Sequence, residues 1–315
     1  MNPKNNKILV IGAAGFIGFH LSRRLLSLKK QVLGIDNLNN YYDPKIKTQR
    51  LTILKKNKNF QFIKLDICKK LNFNKLKKYK FDTVYHLAAQ AGVRYSFYNP
   101  EAYINSNIVG LFNVLKFCQE KTITKIVYAS SSSVYGNQKI FPVQENQILS
   151  PTSLYGITKK NNEEMAEYFS ANYKMKIIGL RFFTVFGEYG RPDMFLIKYL
   201  NAFKHKKFFY LNNFGKHVRD FTYVGDVVKI ITSLKFTKSH QLFNICSNNP
   251  VKLNYVISLF KKYKIIPKIK KVKFQMGDVL KTHGCNQKIL RHTNTKRMTA
   301  FNLALQKLIL WFRSN

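Results

Sequence analysis

The stretch KILVIGAAGFIG, residues 7–18, constrains this chain more than any other part of it. An apolar run ends in a turn with three phased glycines, Gly12, Gly15 and Gly18, and leads into FIGFHLSRRLLSL, whose apolar residues recur at helical spacing. A buried strand, a glycine-rich turn and an amphipathic helix in that order let the backbone pass close to a pyrophosphate. The N–H groups at the helix start, around Phe16 and Ile17, then face its charge. The second apolar run, QVLGID at 31–36, ends on Asp36. An acid there accepts hydrogen bonds from both ribose hydroxyls and repels a 2′-phosphate, so the pattern predicts NAD rather than NADP. Lys4 and Lys7 ahead of the apolar run also resemble a secretory signal. The glycine phasing accounts for the run better, and no segment reaches the roughly 18 apolar residues that a membrane span needs. The expectation is a cytoplasmic protein with no membrane partner.

Beyond the first unit the strand and helix patterns alternate. FQFIKLD (60–66), FDTVYHLAA (81–89), KIVYASS (125–131), KIIGLRFF (176–183) and QLFNIC (241–246) read as strands. Helical spacing covers 99–121, the stretch after Ser150, MFLIKYLNAF and 301–312, and FTYVGDVVKIITSL (221–234) enters a further helix. Most of the strands are continuous apolar runs rather than alternating ones, which indicates a parallel sheet covered on both faces. The predicted fold is α/β, a Rossmann-type doubly wound parallel sheet with a smaller C-terminal substrate domain. The pattern loosens near residue 184, where turn-rich FGEYGRPD begins. Residues 1–184 are therefore assigned to the cofactor, with elements up to about 250 returning to that unit, and 185–315 mainly to the substrate. Asp66, with Ile67 beside it, ends the third strand and either reaches the adenine amine or caps a helix. Leu87, Ala88 and Ala89 end the fourth and leave room for a flat cofactor, while the neighbouring His86 is read as a packing residue.

Composition narrows the function classes. Apolar residues make up 45% and aromatics 14%, which excludes a disordered chain. The net charge of +39, from 54 Lys and Arg against 15 Asp and Glu, raises nucleic-acid binding as an alternative. The basic residues are scattered, however, and no zinc-finger, RNA-recognition or helix-turn-helix pattern accompanies them. Drift of composition is the simpler account, with an attractive field for an anionic substrate as a second. Cys68, Cys118, Cys246 and Cys285 lie far apart, without metal-ligand or disulfide-framework spacing, so no metal is expected.

SPTSLYGITKK, from Ser150, places Tyr155 and Lys159 one helical turn apart. The preceding strand ends in Ser130, Ser131, Ser132 and Ser133, so hydroxyls and phenol converge at the carboxyl edge of the sheet. A phenol titrates near 10, and use as a base at neutral pH requires lowering it by roughly three units, about 4 kcal/mol. One ammonium about 4 Å away at an effective dielectric near 20 supplies about that much.

Taken together, GAAGFIG, HLAAQAGVRYS, YASSSSVYG, Tyr-x-x-x-Lys, LRFFTVFG, GRPDM and VRDFTYVGDVV resemble the extended short-chain dehydrogenase/reductase family. Within it they resemble the nucleotide-sugar 4-epimerases, and among those most the UDP-glucuronate 4-epimerases. The resemblance implies NAD as resident cofactor, a UDP-sugar as substrate and a homodimer formed through the helices at 99–121 and 155–172. It implies that Tyr155 takes the proton of the sugar 4-hydroxyl, that Ser131 bonds the same oxygen and that Lys159 holds the nicotinamide ribose. It also implies that Ser130, Asn107 and Arg94 line the cofactor and sugar region and that Arg219 meets the diphosphate, although a surface salt bridge is an equal reading of Arg219. Ser132, Ser133, Thr184 and Arg191 would surround the C6 carboxylate of a glucuronosyl group, with turn capping and diphosphate binding as the other readings of the serines and of Arg191. Where the family has Pro-Gly-Asp-Val near the uridine, this chain has Met276, Gly277, Asp278 and Val279. A neutral-sugar epimerase, a decarboxylase, a 4,6-dehydratase and a non-catalytic Rossmann nucleotide- or RNA-binding protein are the rival readings. The dehydratases and decarboxylases typically carry an acid where Ser132 and Ser133 stand.

Overall fold

The computed structural model describes residues 7–275 and 277–315, so Lys4 and Met276 lie outside the described residues. In chain order the first part consists of β1 (Lys7–Ile11), α1 (Phe16–Ser27), β2 (Val32–Asp36), α2 (Pro44–Lys55), β3 (Phe60–Lys64), β4 (Phe81–His86), α3 (Pro100–Tyr103), α4 (Gly110–Glu120), β5 (Lys125–Ser131), α5 (Leu154–Asn172) and β6 (Lys176–Phe182). There follow β7 (Thr184–Phe186), α6 (Phe195–Lys204), β8 (Phe208–Asn212), β9 (Val218–Arg219), β10 (Phe221–Tyr223), α7 (Val224–Thr232), β11 (His240–Ile245), β12 (Val251–Lys252), α8 (Leu253–Lys262), β13 (Lys268–Val272), α9 (Gln287–Thr293) and α10 (Phe301–Arg313).

Seven strands form one parallel sheet in the order β11-β6-β5-β4-β1-β2-β3. The Rossmann-type doubly wound sheet expected from the sequence is the sheet that is found. Successive residues of β1 point to opposite faces: Leu9 and Ile11 enter one core with Leu111, Val114 and Phe169, and Val10 enters the other with Leu21, Leu25 and Val227. Because the strand order reverses between β1 and β4, a crevice opens there at the carboxyl ends of the strands. The seventh strand comes from far along the chain, with β11 in register against β6 from His240↔Ile177 to Ile245↔Phe182. A smaller apolar cluster gathers α6, α8 and α10 around Tyr199, Leu200, Phe260 and Leu308. Beside it, β8 pairs in parallel with β13.

Two local features set the edge of the crevice. α3 and α4 are joined by a π-helical turn, Ile104–Val109, the kind of insertion that re-aims a side chain within a helix. α5 starts where Ser153 accepts the Gly156 N–H at 3.1 Å, which fixes Tyr155 in its first turn. Gly156 is needed for that entry, since a Cβ there would lie 2.6 Å from the Ser133 carbonyl oxygen.

A buried ion pair ties α5 to the sheet. Arg181 of β6 donates Nε to Glu163 Oε1 at 2.9 Å and Nη2 to Oε2 at 2.8 Å, with both side chains almost wholly enclosed. Its Nη1 donates to the Tyr135 hydroxyl at 2.8 Å and the Glu145 carbonyl at 2.9 Å. Removing one partner of such a pair leaves an uncompensated buried charge. Arg181→Met should therefore cost about 3–5 kcal/mol in urea unfolding, and Arg181→Met/Glu163→Gln should recover much of the loss. Equal stabilities for wild type and Arg181→Met would contradict this account.

Candidate active site

A cleft of about 420 Å³ follows the carboxyl ends of the strands. At its centre Gly12 adopts φ +86°, and a Cβ there would lie 2.7 Å from the Ala88 backbone nitrogen, so β4 leaves the sheet seated on the glycine turn. α1 then begins at Phe16 with no side chain capping it, and its opening residues Gly15 to Gly18 line the cleft. To one side Asp36 ends β2, and its Oδ1 accepts the Leu38 N–H at 2.8 Å. Burial pushes the Asp36 carboxyl up, against the pull of the Lys47 ammonium and the Leu38 N–H. Asp66 and Ile67 line the cleft beyond it, and Asp66 Oδ1 accepts the Cys68 N–H at 2.9 Å in a local turn; the helical turn that follows starts at Lys70 without a side-chain cap, so Asp66 caps no helix. Leu87, Ala88 and Ala89 form the wall after β4. An uncapped helix start, an acid one strand away and small side chains between them fit a dinucleotide.

On the other side β5 delivers the serines. Ser131 Oγ accepts the Ser133 N–H at 3.1 Å and lies against the Tyr155 phenol, while Ser131, Ser132 and Ser133 all line the cleft. Ser130 lines the cleft as well, with its hydroxyl donating to Glu163 Oε1 at 2.5 Å. Lys159 Nζ donates to the Ala129 carbonyl at 2.8 Å and stands 6.0 Å from the Tyr155 ring centroid. The backbone carbonyl at the end of β5 thus holds the ammonium on the Tyr155 side of the cleft. Burial pushes the Tyr155 phenol up, with the Ser131 hydroxyl and the Arg191 guanidinium pulling it down. Burial likewise pushes Lys159 down to about 8, opposed by Glu163. His86 is buried as a packing residue, pushed down to about 3 by burial and by Lys159.

The remaining predicted residues divide. Thr184 and Arg191 line the cleft next to Tyr155, and Arg219 and Asp278 line it farther along. Asp193 holds Arg191 through Nε at 3.0 Å and Nη2 at 2.5 Å. Among the described residues Arg219 makes no ion pair. It donates to the carbonyls of Val218 and Leu280, and burial with neighbouring Arg94 pushes it down to about 10 against Asp278. Asn107 and Arg94 do not line the cleft. Asn107, on the π turn, accepts the Gln90 N–H at 2.9 Å and donates to Gln90 O at 3.1 Å and Thr158 Oγ1 at 3.0 Å, bracing β4 against α5. Arg94 pairs with Asp278 at 2.7 Å and so secures the C-terminal loop.

Sequence reasoning missed Tyr41, Lys47 and Asp193. Tyr41 lines the cleft and donates to Asp193 Oδ2 at 3.2 Å, and Lys47 Nζ donates to Asn39 Oδ1 at 2.6 Å beside Asp36. The run NLNNYYD after Asp36 and the two-residue spacing in Arg-Pro-Asp were the available signals. Among the described residues no three His, Cys, Asp or Glu side chains are grouped to hold a metal, and no helix is long and apolar enough to cross a membrane.

Residues 8–246 match the family described as the NAD dependent epimerase/dehydratase family. An uncharacterized protein of Methanocaldococcus jannaschii is 45% identical over 99% of this chain and 98% of its own length. UDP-glucuronate 4-epimerase 4 of Arabidopsis thaliana is 38% identical over 98% of this chain and 75% of its own. Among solved structures, the Bacillus cereus UDP-glucuronic acid 4-epimerase in complex with UDP-glucuronic acid and NAD superposes with a TM-score of 0.89. It is 29% identical and covers 98% of this chain and 99% of that one.

The depressed Lys159 carries a pH signature. The fold disfavours the ammonium, so between about pH 8 and 10.5 the unfolded chain holds the extra proton and stability rises with pH. Urea unfolding of wild type relative to Lys159→Met should show an advantage that grows by up to about 3 kcal/mol across that window. A difference that stays flat from pH 7.5 to 10.5 would mean that Lys159 titrates normally.

Proposed function

Because this chain belongs to the NAD dependent epimerase/dehydratase family, we propose that it interconverts UDP-glucuronate and UDP-galacturonate by reversible oxidation at C4. The chain is an NAD-dependent UDP-sugar 4-epimerase, as its relatives and structural neighbours support. The observation that carries the finer reading is the set of groups around Tyr155. Hydroxyls of Ser131, Ser132, Ser133 and Thr184 and the guanidinium of Arg191 line one stretch of cleft. The described acids lining the cleft, Asp36, Asp66 and Asp278, belong to other segments of it. An acid beside the phenol is what a dehydratase or decarboxylase would use, and serines stand there.

NAD would be held by the glycine turn at residues 12–18, by Asp36 and by the wall at residues 87–89, and would supply a reversible hydride acceptor and the positive charge of its oxidised form. The chain's own residues handle the proton and the sugar. Tyr155 takes the proton of the 4-hydroxyl as the hydride leaves C4, and gives it back when the 4-keto sugar, turned over, is reduced. The protein alone holds this phenol above its ordinary value, so the lowering that makes it a base comes from charges added on binding. Ser131 hydrogen-bonds the same sugar oxygen, and Lys159, fixed on the Ala129 carbonyl, is placed to hold the nicotinamide ribose. Serine and threonine hydroxyls fix the C6 carboxylate in the sugar plane, where its bond to C5 overlaps poorly with the C4 carbonyl and carbon dioxide is retained. Arg191, held by Asp193 and lying over the Tyr41 ring, lines the cleft and can add a charge-assisted contact. Exposed Ile104 of the π turn and Phe112 of α4, with Ile157 and Tyr168 of α5, support packing against a second copy.

Purified protein incubated with UDP-glucuronate and no added NAD should yield UDP-galacturonate, resolved by anion-exchange chromatography. Faster turnover of UDP-glucose, or a UDP-pentose as the main product, overturns the carboxylate assignment. Tyr155→Phe should lower kcat by about 10²–10⁴-fold with the fold intact. Thr184→Val and Arg191→Met should each cost about 1.5–3 kcal/mol in kcat/KM for UDP-glucuronate.

A further inference from the structure

The loop that carries Arg191 is held by side chains from both halves of the molecule: Tyr223 of β10 donates to Glu188 at 3.0 Å and Trp311 of α10 packs on Tyr189, while three ties come from the cofactor half. Arg50 of α2, fully buried, donates Nη2 to the carbonyls of Tyr189 at 2.7 Å and Gly190 at 3.3 Å. The same guanidinium donates Nη1 to the carbonyl of Ala14, inside the glycine turn, at 2.9 Å, and to the Tyr42 hydroxyl at 2.9 Å. His20 of α1 contributes a second tie, its Nε2 meeting the Glu188 carbonyl at 2.8 Å. A third comes from Tyr41, on the segment after β2, whose hydroxyl donates to the Asp193 carboxylate that grips Arg191.

We propose that Arg50 is a positioning residue that couples the glycine turn to the Arg191 loop, so that NAD and the sugar nucleotide strengthen each other's binding. Among the described residues Arg50 has no carboxylate within ion-pair distance; its two terminal nitrogens donate to carbonyls and a phenol from three separate segments, and its buried Nε has no partner. A buried cation held this way tolerates no partner drifting off, since each lost acceptor exposes charge to an apolar interior. A shift of the glycine turn as a pyrophosphate seats is thereby opposed unless residues 189–190 move with it. The planar fork of arginine can serve two segments at once, which a lysine ammonium on a flexible stem cannot reproduce. Tyr41 completes the link from the opposite side, through Asp193 to the guanidinium of Arg191 itself. Coupling of this kind is reciprocal: a sugar nucleotide that orders the 187–193 loop tightens NAD by the same factor.

The inference rests on the proposed UDP-sugar reading but not on glucuronate as the sugar. The test is run in a Tyr155→Phe background, which blocks turnover, with bound NAD stripped and added back. The dissociation constant of NAD is measured by equilibrium dialysis with and without saturating UDP-glucuronate, and again with UDP-glucose. In this parent at least one UDP-sugar should tighten NAD by a factor of about 5–150, the usual range for coupled sites. Arg50→Lys should bring that factor to within about twofold of unity while the protein retains its circular-dichroism spectrum, and Tyr41→Phe should reduce it partway. A role confined to stability would lower the melting temperature and leave the factor intact, which overturns the proposal, as does a parent with no coupling to either sugar nucleotide. If Arg50→Lys does not fold, Tyr42→Phe, which removes one acceptor of the Arg50 guanidinium, decides: a reduced factor supports the proposal and an unchanged one overturns it. If only UDP-glucose couples, the glucuronate reading fails while the role of Arg50 stands.

Discussion

Much of the site's geometry depends on one buried contact, the Arg181–Glu163 pair between β6 and α5. Two ions removed from water cost more than their attraction returns unless every remaining donor and acceptor is met. Here Ser130, Tyr135 and the Glu145 carbonyl meet them. The Tyr135 hydroxyl in turn donates to Asn244 of β11 at 2.7 Å. The contact thus joins three neighbouring strands, β5, β6 and β11, to one helix. It also fixes the rotation of α5, and through it the direction of Tyr155 and Lys159. An apolar substitute could hold the helix equally firmly, but it would not specify one rotation.

The electrostatics of the site belong to no single pair. Tyr155 and Lys159 share a helical face as their spacing requires, but the Ala129 carbonyl takes the ammonium and the phenol is left facing the cleft. Burial acts on both groups in the same sense, toward neutrality: the phenol is held protonated and the ammonium is brought to about 8. Under the proposed function, the charge that lowers the phenol has to arrive with the ligands.

What could be read in the sequence was what repeats or runs locally. The apolar runs, the glycine phasing at residues 12–18 and the one-turn separation of Tyr155 and Lys159 each depend on residues close together in the chain. The contacts that were not legible join residues far apart. Arg50 reaches Tyr189, Arg94 reaches Asp278 and Tyr41 reaches Asp193, all through long polar side chains whose partners no periodicity marks. Asn107 belongs with these: the family resemblance implied a cleft group, and the π turn that aims it between Gln90 and Thr158 leaves no trace in hydrophobic spacing. Ser130 and Ser131 are adjacent in sequence and send their hydroxyls to different partners, as neighbours at a strand end must.

The late origin of β11 has a consequence for synthesis. β6 is complete at Phe182, yet its outer edge finds a partner only when residues 240–245 have been made. A nascent chain leaving the ribosome therefore carries, for some sixty residues, a six-stranded sheet with an open row of amides and carbonyls along apolar Ile177, Ile178 and Leu180. At roughly 5–20 residues per second that interval lasts several seconds, long enough for a neighbouring nascent chain to pair with the exposed strand. Truncations that stop between β6 and β11 inherit the same open edge permanently.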